Sequence, residues 1–180
     1  MKYPASSRTL TDMPRRENRR SRTSPKDITW VGAPPAETTC MSDKAFVDTN
    51  ILIYAYDLDA GNKHAIAANL IRQLWHSGMG LLSTQVLQEF YVNVTAKMST
   101  PLSLSAARSI IARYLVWHVE ANTPESVLRA SEIQERNRLS FRDALIVAAA
   151  SKVGAVTLYT EDLNHGQVME GVRIQNPFMA

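Results

Sequence analysis

The sequence predicts an α/β fold: a parallel sheet covered by helices on both faces. Ala45-Phe46-Val47, Leu81-Leu82-Ser83, Val116–Val119 and Ala155–Tyr159 are short, largely apolar runs. Apolar runs without alternation are expected of strands buried on both sides. Between them lie longer stretches with apolar residues at helical spacing, so strands alternate with helices, as crossover connections between parallel strands require. Four acids, Asp48, Glu89, Asp143 and Asp162, stand at or near the ends of these elements. In such folds the carboxyl ends of the strands are where sites form.

Taken in order, Ala45-Phe46-Val47 is a strand that ends at Asp48, and Ile51 to Tyr56 follows as a short helix. Asn62 to His76 is helical, with Ile66, Leu70, Ile71 and Leu74 on one side. Gly78 and Gly80 break the chain before the strand at Leu81. Gln85 to Met98 is a helix whose apolar side holds Val86, Leu87, Phe90, Val94 and Met98, and Pro101 ends it. Ser105 to Tyr114 is the next helix, and Val116 to Val119 the next strand. Thr123-Pro124-Glu125 combines a cap, a proline in the first turn and an early acid, so a helix starts there and runs to about Arg138. Arg142 to Val153 is rich in alanine and nearly all apolar, which predicts a buried helix closed by Gly154. Ala155 to Tyr159 is a strand, and Val172-Arg173-Ile174 a candidate for one more.

Charge is unevenly spread. Residues 1–40 hold 8 Lys/Arg and 4 Asp/Glu, whereas residues 41–180 hold 12 and 13. The overall charge of +3 therefore comes from the first forty residues. The rest is not basic, so composition alone does not argue for nucleic acid. Residues 1–43 carry Arg15, Arg16, Arg19, Arg20 and Arg22, five prolines and no apolar periodicity, and read as a disordered basic extension. Met41 stands just before the first strand and is a candidate for the true start, and 44–180 is the expected domain. Cys40 is the only cysteine, so no intrachain disulfide forms and a reducing cytoplasm fits. No apolar run reaches the length of a membrane span, and Met1 to Arg22 lacks the apolar stretch of a secretory signal.

Carboxylates brought to one sheet edge repel one another. They remain ionised together when a cation joins them, and oxygen ligands suit magnesium or manganese. Each acid also has a plain structural reading. Asp48, followed by Thr49 and Asn50, caps the next helix. Glu89, with Gln85 and Asn93 four residues to either side, belongs to a solvated helix face. Ser140-Phe141-Arg142-Asp143 matches a capping box, and Asp162 fits an ordinary turn. The set, not any one member, points to metal-assisted chemistry on a phosphate ester. His64, His76, His118 and His165 match no zinc spacing, and neither a nucleophile elbow nor a Gly-rich phosphate loop is present. Arg136, Arg138 and Arg142 approach Asp143 and are candidates for substrate phosphates, although a solvated helix end is the simpler and favoured reading.

Phe46-Val47-Asp48-Thr49-Asn50-Ile51-Leu52, Gln88-Glu89-Phe90-Tyr91, Ser140-Phe141-Arg142-Asp143-Ala144-Leu145-Ile146 and Leu158-Tyr159-Thr160-Glu161-Asp162-Leu163-Asn164-His165-Gly166 follow one another in order. With the closing Ile174-Gln175-Asn176-Pro177-Phe178, they resemble the PIN-domain nucleases, and within them the VapC-type toxins of bacterial toxin–antitoxin systems. The resemblance implies a PIN-like three-layer sandwich over residues 44–180 and an acidic pocket holding magnesium or manganese. Asp48 and Asp143 match direct ligands, and Glu89 and Asp162 match acids that bind through water or hold a second ion. Thr49, Asn50 and Thr160 would orient the carboxylates or the attacking water. Glu161 adjoins Asp162, but the Thr-x-Asp spacing favours Asp162.

The resemblance further implies an endoribonuclease that leaves a 5′-phosphate and a 3′-hydroxyl. It implies a cognate antitoxin partner and a homodimer, with helices 62–76 and 103–114 as candidate surfaces. Two alternatives stay open. One is a catalytically silent module that binds RNA or a partner. The other is a phosphatase of the haloacid-dehalogenase type, which needs a second aspartate where Asn50 stands.

Overall fold

Strand and helix alternate along the chain as expected. Strand β1 (Ala45–Val47) leads into helix α1 (Thr49–Tyr54), a 3-10 turn (Leu58–Ala60) and helix α2 (Asn62–Ser77). Strand β2 (Gly80–Ser83) is followed by α3 (Thr84–Ala96) and α4 (Leu104–Tyr114), and strand β3 (His118–Glu120) by α5 (Pro124–Asn137) and α6 (Phe141–Lys152). Strand β4 (Thr157–Tyr159) and the pair β5 (Val168–Met169) and β6 (Val172–Gln175) complete the sheet. The computed structural model describes residues 43–179, all within one compact unit spanning 35–180. The expected basic extension and the start at Met41 lie outside the described residues, apart from Asp43.

The sheet runs in the order β3-β2-β1-β4-β6-β5. Four of its pairings are parallel: β1 with β2, β1 with β4, β2 with β3 and β4 with β6. From β1 the chain moves outward through β2 to β3 and then crosses back to β4 on the other side of β1. Right-handed crossovers, the rule for parallel connections, therefore put α1–α4 on one face and α5 and α6 on the other. The packing agrees: α1 lies against α2 and α3, α3 against α4, and α5 against α6. This is the predicted α/β sandwich. Its strand order reverses at β1, so the crevice between the carboxyl ends of β1 and β4 is the expected ligand position.

The core explains the elements. β1 and β2 are buried at every residue, as central strands must be, whereas β3 at the sheet edge is exposed or half-buried. Helix α6 is buried continuously from Ala144 to Ala150, and its alanines let its backbone lie close to the sheet. Helix starts follow the capping residues. Ser83, Ser103, Thr123 and Ser140 each accept a backbone N–H of the first turn, and Thr123 forms a reciprocal box with Ser126.

Several boundaries differ from expectation. Helix α1 starts at Thr49 rather than Ile51 because Asp48 caps it. The third strand begins at His118, two residues later than predicted. Val116 is exposed, and Trp117 is tucked against Gly80, where an added Cβ would lie 2.3 Å from the indole ring. An apolar pair in a turn thus mimicked a strand. β4 begins at Thr157 rather than Ala155. The sheet is parallel except at its edge, where the unpredicted β5 pairs antiparallel with β6. At two residues β5 is too short to show alternation.

Candidate active site

Asp48 is the hub of the crevice between β1 and β4. Its backbone N–H donates to the Tyr159 carbonyl at 3.0 Å, which locks the ends of the two strands together. Its Oδ1 accepts from the Thr49 N–H at 2.6 Å and its Oδ2 from the Thr160 hydroxyl at 2.7 Å. The carboxylate therefore caps α1 and also lines the crevice. It is only 8% exposed. Burial pushes its pKa up from the ordinary 3.8 to about 6; the Thr160 and Thr49 hydrogen bonds oppose the shift, and the charges of Asp162 and Glu89 add to it.

Thr160, fully buried, links two acids. Its hydroxyl donates to Asp48 and accepts from the Asp162 N–H at 3.1 Å. Asn50 completes the link by donating from Nδ2 to Asp162 Oδ2 at 2.9 Å. Thr49, Asn50 and Thr160 thus each hydrogen-bond a carboxylate of the cleft. Asp143 sits in the first turn of α6. Its carboxylate accepts from the Ser140 hydroxyl at 2.7 Å, while Ser140 Oγ accepts from the Asp143 N–H at 3.1 Å.

Glu89 differs from the other three. Its Oε1 accepts from Gln85 Nε2 and from Arg142 Nε, both at 3.0 Å. Its Oε2 accepts from the Thr49 hydroxyl at 3.2 Å and pairs with Arg142 Nη2 at 2.5 Å. Burial disfavours its charge, but the Arg142 and Gln85 donors outweigh burial and hold the Glu89 carboxyl below the usual range.

All four acids line one cavity of about 190 Å3, together with Thr49, Asn50, Gln85, Asn93, Ser140 and Arg142. The polar stripe Gln85–Glu89–Asn93 predicted on α3 is part of this wall. A larger cavity of about 620 Å3, lined by Trp75, Trp117, Lys44 and Lys152 among others, contains none of the four. Glu161 turns elsewhere: Tyr54 donates to its Oε1 and Lys63 to its Oε2, both at 2.5 Å. Asp162 is therefore the acid on the cleft. This fastening of Glu161 joins residues about a hundred positions apart and has no local sequence signal. Of the histidines, His165 accepts the Asn176 N–H at 3.1 Å and serves to anchor the tail.

The donor set suits a hard cation, since the cleft offers oxygen ligands and no thiolate or imidazole. Two buried oxygens among its lining residues, Asn50 Oδ1 and Gln85 Oε1, have no hydrogen-bond partner. Among the described residues, no three acid, histidine or cysteine side chains already converge as a cation cage. Arg142 holds Glu89 and Ser140 holds Asp143, so closing around an ion would require side-chain adjustment.

The family model of the PIN domain matches residues 45–170. The chain belongs to the PIN domain family. Structural likeness agrees with membership. VapC20 of Mycobacterium tuberculosis, a sarcin–ricin-loop-cleaving toxin, is 25% identical with a TM-score of 0.52, over 66% of this chain and 90% of that one. A toxin–antitoxin complex from Klebsiella pneumoniae contains a chain 18% identical with a TM-score of 0.56, over 75% and 98%. VapBC2 from Rickettsia felis, bound to a DNA fragment from their promoter, gives 19%, 0.53, 73% and 97%. No curated protein matches the chain. Membership of the PIN family removes the haloacid-dehalogenase alternative; the aspartate that such a phosphatase needs is Asn50 here, an amide committed to Asp162.

Proposed function

We propose that this PIN domain is a magnesium- or manganese-dependent endoribonuclease, the toxin of a toxin–antitoxin pair. The observation that carries the reading is that Asp48, Glu89, Asp143 and Asp162, from four separate elements, line one small cleft at the switch point of the sheet. When bound, the divalent ion supplies the positive charge that draws a phosphodiester into an acidic cleft and acidifies the attacking water. Everything else is the work of the chain. Thr49 and Thr160 hold the Asp48 carboxylate in one orientation, Asn50 holds Asp162, and Ser140 holds Asp143. The donors are hydroxyls and amides, which orient a carboxylate without cancelling its charge. Asp48, Asp143 and Asp162 are the acids that would hold the ion, and the unpartnered Asn50 and Gln85 oxygens can accept from ordered water beside it.

RNA as substrate is supported by the likeness to VapC20, a toxin that cleaves the sarcin–ricin loop. A small antitoxin as partner is supported by the likeness to chains from toxin–antitoxin complexes. The homodimer and the cytoplasmic location belong to the same reading. Among the described residues, no helix is long and apolar enough to cross a membrane. One observation favours the silent-module alternative: no ready cation cage is formed by the described side chains.

The test is cleavage of a mixed RNA pool by the purified full chain, with magnesium, with manganese and with chelator, beside Asp48→Asn and Asp143→Asn. Metal-dependent cuts ending in 5′-phosphate, absent from both variants, are expected. Cleavage that persists in a folded Asp48→Asn/Asp143→Asn double variant refutes the assignment of these acids. Manganese binding without cleavage of any RNA would favour the silent module.

A further inference from the structure

The Glu89–Arg142 pair sets one of the four acids apart. We propose that Arg142 is the residue that contacts the substrate phosphate at the mouth of the cleft, and that Glu89 is a positioning residue acting through Arg142 rather than a cation ligand. The proposal rests on the nuclease reading above and divides the labour within that site.

A carboxylate has about four lone-pair positions on its two oxygens. Glu89 accepts three hydrogen bonds, from Gln85 Nε2 and Arg142 Nε at Oε1 and from the Thr49 hydroxyl at Oε2, and Arg142 Nη2 closes an ion pair 2.5 Å from Oε2. A cation would have to displace one of these donors. The other acids keep acceptor capacity. Asp162 accepts from Asn50, Asp143 from the Ser140 hydroxyl, and Asp48 from Thr49, Thr160 and, at 3.5 Å, Asn50 Nδ2, all neutral donors that leave the charge in place for a cation.

Arg142 meets Glu89 side-on, through Nε and Nη2. That arrangement uses one edge of a planar guanidinium with five N–H donors. The second edge, formed by Nη1 and the outer N–H of Nη2, makes no hydrogen bond or ion-pair contact to a carboxylate among the described residues, while the guanidinium charge is also felt by Asp143 and Asp48. The side chain is 70% exposed, yet it lines the acidic cavity. A guanidinium held by one edge and open on the other matches two phosphate oxygens in the bidentate manner that lysine cannot reproduce. Gln85 reinforces the setting, because its Nε2 also donates to the Arg142 carbonyl at 3.3 Å. One cation on the rim of an otherwise anionic cleft also gives an approaching polyanion a favourable point of entry.

The experiment compares Glu89→Gln, Arg142→Ala, Arg142→Lys and the double variant Glu89→Gln/Arg142→Ala in the full chain. Manganese affinity, measured with Mn2+ alone, is read beside apparent kcat/KM on a mixed single-stranded RNA pool. Asp48→Asn is the control for loss of a ligand. Expected are Mn2+ affinities within about twofold of the unaltered chain for all four variants. Cleavage should fall on the order of 10²-fold in both Arg142→Ala and Glu89→Gln, the scale for losing one charge-stabilising donor. The double variant should fall no further than either alone, because both substitutions remove the same contact, and Arg142→Lys should recover only part of the loss. A tenfold or greater loss of Mn2+ affinity in Glu89→Gln, like that of Asp48→Asn, overturns the proposal, as do losses that multiply in the double variant. An unaltered chain that neither binds Mn2+ nor cuts any RNA overturns the metallonuclease reading itself, and this proposal with it.

Discussion

Asp48→Asn should make the protein more stable while abolishing its chemistry. In the folded chain the Asp48 carboxyl holds its proton up to about pH 6, against an ordinary 3.8. At pH 7.5 without metal, folding therefore keeps a charge where the fold prefers none. At about 1.36 kcal/mol per pKa unit, that tension amounts to roughly 3 kcal/mol. Asparagine removes the charge, keeps the shape and leaves one oxygen for the Thr49 N–H. It cannot accept from Thr160 at the second position, a loss of about 1 kcal/mol. The net gain is about 2 kcal/mol, or roughly 4–8 °C in Tm for a chain of this size. Thermal unfolding in chelator, across pH 4 to 8, measures it. Asp48 binds its proton more tightly folded than unfolded, so the unaltered chain gains stability as pH falls from about 6 to about 4. The advantage of the variant should shrink over that same window and vanish near pH 4. Added magnesium should raise the Tm of the unaltered chain but not of the variant. A folded Asp48→Asn that is no more stable than the unaltered chain at pH 7.5 in chelator would refute the argument.

Thr160→Val removes the hydroxyl that serves Asp48 and Asp162 together. It should cost about 1–3 kcal/mol in denaturant unfolding, and it should move the pH midpoint of Mn2+ binding upward, since Asp48 loses a donor that favours its charge. Gly80→Ala drives a methyl to 2.3 Å from the Trp117 ring, and overpacking of this kind costs about 1–3 kcal/mol; tryptophan fluorescence and Tm should both shift. Glu161→Gln weakens the tie to Lys63 and Tyr54, but that ion pair is partly exposed, at 43% and 20%. Its effect on stability should stay below about 1 kcal/mol, and cleavage should survive, because Glu161 does not line the cleft; a loss comparable with that of Asp162→Asn would contradict the placement of the two acids.

Much of the fold was legible because central parallel strands are buried on both sides and so appear as unbroken apolar runs. Ala45–Val47 and Leu81–Ser83 are of this kind. Edge elements were legible only in part. β3 is partly solvated and follows an apolar turn that looks like a strand, and β5 is two residues long. At the site, Asp48, Asp143 and Asp162 stand at or just beyond element ends, Glu89 lies within α3, and the structure brings all four to one wall. What these acids touch was not legible. Arg142 meets Glu89 across 53 positions of sequence, and a lone arginine at a helix start most simply predicts a solvated side chain. The fastening of Glu161 to Lys63 crosses 98 positions and is equally silent. Periodicity reports which face of an element is buried; it carries no information about pairs made between two polar faces.

The choice of partners within the cleft argues against a purely structural role for the acids. A lysine or arginine partner cancels the charge of the carboxylate it meets, as Arg142 does for Glu89. Here only Glu89 is paired in that way. Asp48, Asp143 and Asp162 are held instead by Thr160, Ser140 and Asn50, neutral donors that fix direction and leave charge in place. Asp48 is pushed up to about 6 chiefly by burial, and the charges of Asp162 and Glu89 add to the shift. A buried carboxylate of this kind lowers the stability of the fold, and under the proposed reading a cation would relieve that cost once the neighbouring acids move to meet it. Under the proposed reading the burial that weakens the fold at Asp48 serves the ion, which is why the stability of Asp48→Asn and the chemistry of the site should change in opposite directions.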